Sequence, residues 1–238
     1  QKGAAQCLAS KPGEAGQFWL VPRQPGHHAG ARPLLLPAPE GFVFHHLNAF
    51  EDPTTGEVVV DSIYYDDFPS IGPEVDYREI DFDSIPEGQL RRCRIDPRSG
   101  TVQSEWLEQR CCEFAMVNPA KQGLNARFAW MAVAERERGN DPLQAIEKLD
   151  LQTGERLVWS AAPRGFVTEP VMVPRLTDGS PEDSSAEDRG WVLVPVWNGA
   201  RCATDLVILN AADMTEQAVL ELPLAIPYGL HGSWSETA

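Results

Sequence analysis

Two short stretches set a histidine among aromatic and small residues: Phe42-Val-Phe-His-His-Leu-Asn-Ala-Phe-Glu51 and Ile226-Pro-Tyr-Gly-Leu-His-Gly-Ser-Trp234. Only five histidines occur in the 238 residues, and the two segments lie nearly the whole chain apart. Isolated histidines that folding brings together are the sequence form of a metal site built from imidazoles. If the first segment is a strand, alternation sends His45 and His46 to opposite faces, so at most one of them reaches a shared centre. A histidine beside aromatics is equally a packed, hydrogen-bonded core residue, and Phe42, Phe44 and Phe50 suit either a core or an apolar channel. His231 is flanked by Gly229-Leu230 and Gly232, and glycines let the backbone approach another group closely. His27 and His28 fall in the Gly/Pro-rich stretch 24–33 and read as an exposed loop.

Imidazole ligands usually donate their second ring N–H to a carboxylate or carbonyl, which fixes tautomer and orientation. Two acidic residues inside apolar runs are candidates: Glu113 in Cys111-Cys-Glu-Phe-Ala-Met-Val117, and Glu169 in Phe166-Val-Thr-Glu-Pro-Val-Met-Val173. A carboxylate in such a run is either a surface residue at a strand end or a buried, paired one. The spacing alone leaves both open.

The elements that must position these groups are strands. Residues 18–22, 41–44, 57–65, 128–133 and 191–197 are short β-branched or aromatic runs bounded by Gly, Pro or Asp. Pro22 and Pro195 suit edges or bulges. A weak repeat runs through the chain: residues 90–102 and 145–158 each read strand, turn, strand. In both, an Asp opens the turn and a Gly closes it four residues later, where a positive φ suits glycine. A third copy over 205–219 keeps the pattern without the glycine. Hairpins recurring every ~50–60 residues are expected of propeller blades, with a β-sandwich as the alternative. Only 204–217 and 140–147 offer helix instead. Asp76, Glu79, Asp81 and Asp83 cluster in an acidic insertion, read as a solvated loop because the calcium-loop glycine and terminal glutamate are out of register. Thr177 to Gly190 reads as a polar hairpin tip.

Composition bounds the function. A net charge of −15 excludes a general nucleic-acid binder, which needs clustered Lys and Arg to displace counterions. No apolar run approaches a membrane span. Five cysteines without CxxC spacing, Cys111 and Cys112 adjacent, fit reduced thiols in a cytosolic protein better than a disulfide framework.

In its ordered motifs the chain resembles the carotenoid cleavage oxygenases from Gln1 to its end, most of all the bacterial apocarotenoid oxygenases. The matching pieces are residues 44–51, 61–65, 88–90 with their hairpin, 110–114, 142–146, 165–170, 187–191 and 226–234. The resemblance implies an all-β, seven-bladed propeller with iron on its axis, held by four histidines. His45 and His231 would be two of them, with His46 facing away. Glu113 would back His45, Glu169 would back His231, and Phe44 and Tyr65 would line an apolar substrate tunnel. The other two ligands would lie upstream of Gln1, so residues 1–238 are expected to be the C-terminal portion of one propeller domain, inactive alone. Four neutral imidazoles leave ferrous iron its full charge and an open position for dioxygen. The implied reaction is oxidative cleavage of one apocarotenoid double bond to aldehydes such as retinal. The implied setting is cytoplasmic, with peripheral membrane contact through the upstream half. A stilbene-cleaving dioxygenase and a non-catalytic lipid- or protein-binding propeller are the alternatives. One departure is visible: Ala115 stands where the family usually has proline after the Glu-Phe pair.

Overall fold

A computed structural model describes residues 16–23, 32–69, 75–175 and 187–235, with Cys7, Gly13 and Ile71 as isolated positions. His27, His28 and residues 177–186 of the polar tip lie outside the described residues. Strands β1 (Gln17–Leu20) and β2 (Leu34–Pro37) form an antiparallel hairpin. Three antiparallel meanders follow in chain order. The first comprises β3 (Phe42–Glu51), β4 (Val58–Tyr65), β5 (Gln89–Asp96) and β6 (Thr101–Glu108). The second comprises β7 (Cys112–Val117), β8 (Phe128–Ala134), β9 (Leu143–Asp150) and β10 (Arg156–Ser160). In the third, β11 (Gly165–Val167) and β12 (Val171–Pro174) share one side of β13 (Gly190–Asn198), followed by β14 (Ala203–Asn210) and β15 (Glu216–Glu221). These are consecutive blades of a β-propeller, not the two facing sheets of a sandwich.

Alternation explains how the blades stack. On β8, Ala129, Met131 and Val133 join Leu47, Ile63 and Leu90 of the first blade in one core. The intervening Trp130 and Ala132 join Val192, Val194 and Val196 of the third blade in another. A strand packed on both faces reads as a continuous apolar run, which is how Phe128–Ala134 appears in sequence. The outermost strands β6, β10 and β15 are largely exposed, and they carry exposed apolar side chains such as Leu157, Val158, Val219 and Leu220.

The hairpin turns are one device used four times. Asp52, Asp96, Asp150 and Asn210 each accept, through the side chain, the amide two residues on. Each backbone carbonyl also accepts the amide four residues on, from Gly56, Gly100, Gly154 and Met214. Those four residues have φ of 75°, 72°, 76° and 60°. The copy at Asp52–Gly56 goes unnoticed in the sequence reading, and the third copy holds without glycine because Met214 takes the left-handed conformation itself.

The hairpin read over 205–219 is present, and the helical alternative for 204–217 and 140–147 is not taken, because β14 and β9 are central strands with partners on both sides. The acidic insertion contains two 3-10 turns, capped by the Asp76 and Asp81 side chains, so these aspartates satisfy backbone donors. Pro195 sits in a central strand rather than at an edge. It lies opposite the gap between β11 and β12, where its carbonyl accepts the Thr168 amide at 3.1 Å and no ladder donor is needed.

Blades one and two are also joined through a buried acidic pair. Glu147 on β9 is fully buried and neither of its oxygens has a hydrogen-bond partner among the described residues. Arg110 and Arg156 approach it to only 3.8 and 3.9 Å, while Arg156 pairs closely with Glu108 at the end of β6. Burial, then the neighbouring Glu108 charge, push the Glu147 carboxyl from 4.5 up to about 8, against the opposing pull of Arg156 and Arg110. The folded state therefore holds a proton that the unfolded chain releases, so this group's contribution is full below pH 4.5 and is lost as pH rises to about 8. Denaturation midpoints followed across that window should fall more steeply with pH in the wild type than in Glu147→Gln. Parallel curves would show that Glu147 takes up no proton on folding.

Candidate metal centre

The first site strand, β3, is irregular where chemistry is expected: its register with β4 shifts between Val43 and His46 and again between His46 and Asn48. Strict alternation fails there, since Leu47 and Asn48 are both buried. The shift still separates the two histidines. His46 Nδ1 lies 2.6 Å from Ser62 Oγ, on the side away from the site. Burial, then the adjacent His45, hold its pKa below the usual value.

His45 Nδ1 lies 2.7 Å from Glu113 Oε2. Glu113 is on β7, the neighbouring innermost strand, at another register shift, between Glu113 and Met116. Phe114 adopts φ 55°, a costly conformation for an aromatic residue, and its amide donates to Glu113 Oε2 at 2.8 Å. The Tyr65 hydroxyl donates to the other oxygen, Oε1, at 2.5 Å. Burial, then the Glu113 charge, push the Tyr65 phenol far above its usual pKa, so it is a permanent donor.

The second half of the site comes from the chain's far end. Glu169-Pro170 occupies the gap between β11 and β12, outside the strand ladders. Glu169 Oε1 lies 3.1 Å from His231 Nδ1, and its Oε2 accepts the Gly232 amide at 2.6 Å. The segment carrying His231 is held to the third blade at Thr204, whose hydroxyl accepts the Ile226 amide at 2.8 Å. The two histidine rings meet edge to face with centroids 5.1 Å apart, and Phe114 packs within 5.2 Å of His45 and 6.5 Å of His231.

With each Nδ1 turned to a glutamate, Nε2 is the nitrogen each ring has available for a metal. No group of three or more metal-ligating side chains occurs among the described residues, so these two imidazoles do not by themselves make a complete coordination sphere. Phe44 is exposed and meets Tyr65 edge-on at 5.6 Å, within a cluster that includes Phe42 and Phe68. A mostly apolar cavity of about 400 Å³ adjoins it, lined by Tyr65, Cys112, Phe114, Val167 and Tyr228 among others. All five cysteines are free; Cys93, Cys111 and Cys112 are buried. The signal missed in sequence is the Tyr65 hydroxyl, whose partner lies 48 residues on.

Comparison with known proteins settles the family. The model described as retinal pigment epithelial membrane protein matches residues 1–236. The chain belongs to the carotenoid oxygenase family. It is 41% identical over 238 residues to the apocarotenoid-15,15'-oxygenase of Synechocystis, covering 99% of this chain and 46% of that protein. A carotenoid cleavage oxygenase of Mycobacterium tuberculosis is 30% identical over 82% of the chain. Resveratrol cleavage oxygenase 1 of Aspergillus fumigatus is 28% identical over 81%. The cobalt-substituted Synechocystis oxygenase superposes with a TM-score of 0.89 over 99% of this chain and 47% of that one. This carotenoid oxygenase chain thus spans about half the length of the relatives it matches.

Proposed function

We propose that the protein carrying this chain is a non-haem iron(II) dioxygenase that cleaves a double bond of an apocarotenoid, with aldehyde products such as retinal. The observation that carries this reading is the meeting of His45 and His231, from opposite ends of the chain, each backed at Nδ1 by its own glutamate. Likeness to an apocarotenoid oxygenase supports it. The donors fit the group: neutral imidazole suits ferrous iron, and carboxylates behind the rings fix the tautomer that leaves Nε2 for metal. In this reading the remaining ligands come from outside residues 1–238. Iron, when bound, supplies a position at which dioxygen is activated.

The chain's own residues do the rest. Glu113 and Glu169 orient the rings and offset charge without occupying the metal. A polyene has no acidic or basic handle, so recognition falls to apolar walls, here Phe44, Phe114 and the Tyr65 ring. Both oxygen atoms of dioxygen end in the two carbonyl products, so no external reductant is required. The proposal includes a cytoplasmic setting with peripheral membrane contact.

The test is iron-dependent cleavage of an apocarotenal by the natural full-length protein, abolished by chelation and restored by ferrous ion. Turnover of resveratrol alone would shift the reading to phenolic stilbenes, for which the Aspergillus relative is the precedent. A metal-loaded protein that cleaves neither would support a non-catalytic propeller.

A further inference from the structure

Glu113 has two oxygens and three donors. Oε2 receives the His45 ring and the Phe114 amide, whereas Oε1 receives the Tyr65 phenol. We propose that Tyr65 is a positioning residue for His45, acting through Glu113. The proposal rests on the metal-centre reading above.

The physical need is specific. The terminal torsion of a glutamate is broad and roughly two-fold, so contacts to one oxygen alone leave the carboxylate plane loosely defined. A donor on the opposite oxygen fixes that plane and presents Oε2 to Nδ1. The place for this hydroxyl is built by the surrounding chain. Tyr65 is only 7% exposed. A Cβ at Gly88 would stand 2.7 Å from the Tyr65 Cζ and 2.8 Å from its hydroxyl, so only glycine leaves the phenol where it is. The Gly88 carbonyl accepts the Cys112 amide at 2.9 Å, which ties this glycine to the strand that carries Glu113. Two parts of one side chain thus have different duties: the ring packs against Phe44, and the hydroxyl serves the glutamate.

The substitution Tyr65→Phe removes the hydroxyl and keeps the ring. In the natural full-length protein, cobalt(II) titration of the metal-free form is expected to show affinity about 10-fold weaker in Tyr65→Phe. The double variant Tyr65→Phe/Glu113→Gln should bind no more weakly than Glu113→Gln alone, because residues acting in series are not additive. Losses that add would place Tyr65 outside the His45 path and overturn the proposal. Nitrogen-15 spectra of the metal-free protein give a readout independent of metal. His45 should hold the Nδ1–H tautomer in the wild type and a mixture in Tyr65→Phe; an unchanged ring would also overturn the proposal. Failure of the wild type to bind cobalt would instead count against the metal-centre reading, and the His45 spectra would still decide whether Tyr65 orients the ring.

Discussion

Exchange of Glu113 for glutamine is expected to lower metal affinity of the natural full-length protein toward the far end of a roughly 10–100-fold range, with Glu169→Gln at the near end. The order follows from surroundings. Glu113 is well enclosed, accepts three donors and sits 2.7 Å from its histidine. A glutamine there offers one acceptor oxygen and an NH₂ that must face one of those donors. Glu169 lies farther from its histidine, at 3.1 Å, and accepts only one further donor, the Gly232 amide. Cobalt(II) titration of both variants checks the ranking. Wild-type affinity in both would show that neither glutamate supports a ligand.

The largest effect on stability is expected at Asp61. Its carboxylate receives Arg92 Nε at 2.8 Å and Nη2 at 2.7 Å, a two-pronged contact across the β4–β5 ladder. Asp61 is 1% exposed and Arg92 7%. Removing one member of such a pair strands the other charge, at about 3–5 kcal/mol. Arg92 borders an open cleft of about 530 Å³ between blades one and two, so water can reach its edge and the lower end of that range applies. Asp61→Ala should therefore lose about 3 kcal/mol in denaturant unfolding. Substituting both residues by apolar ones of similar volume should recover most of it. A loss under 1 kcal/mol would mean that the pair is solvated rather than buried.

These two sites were legible to different degrees. The blade hairpins could be read because their chemistry is local: Asp and Gly four apart specify a turn without knowledge of the rest of the fold. Where the closing residue is Met214, only packing against the third-blade core explains its conformation, and no neighbour in sequence announces it. Around the metal centre, the residues alone offered His45, His231, Glu113 and Glu169 as candidates; which glutamate serves which histidine came from family resemblance. The geometry gives each pairing a distance, 2.7 Å for His45 with Glu113 and 3.1 Å for His231 with Glu169. For Tyr65 the resemblance implies only a tunnel wall, and its hydroxyl's partner, Glu113, is set by how blade one meets blade two. Asp61 and Arg92 were ordinary polar positions on alternating strands until a ladder placed them opposite one another.

The site side chains occupy places where the sheet is locally imperfect: His45 amid shifts of register, Glu113 beside a left-handed Phe114, Glu169 in the gap before Pro170. Drift in this gene thus faces opposed gradients. Substitutions that regularise these strands would raise thermal robustness while misaiming the imidazoles, so screening libraries for heat resistance alone would enrich silent proteins. Selection for turnover must instead hold a few poor stretches of ladder in place, with the well-packed central strands β8 and β13 as the reserve that makes them tolerable.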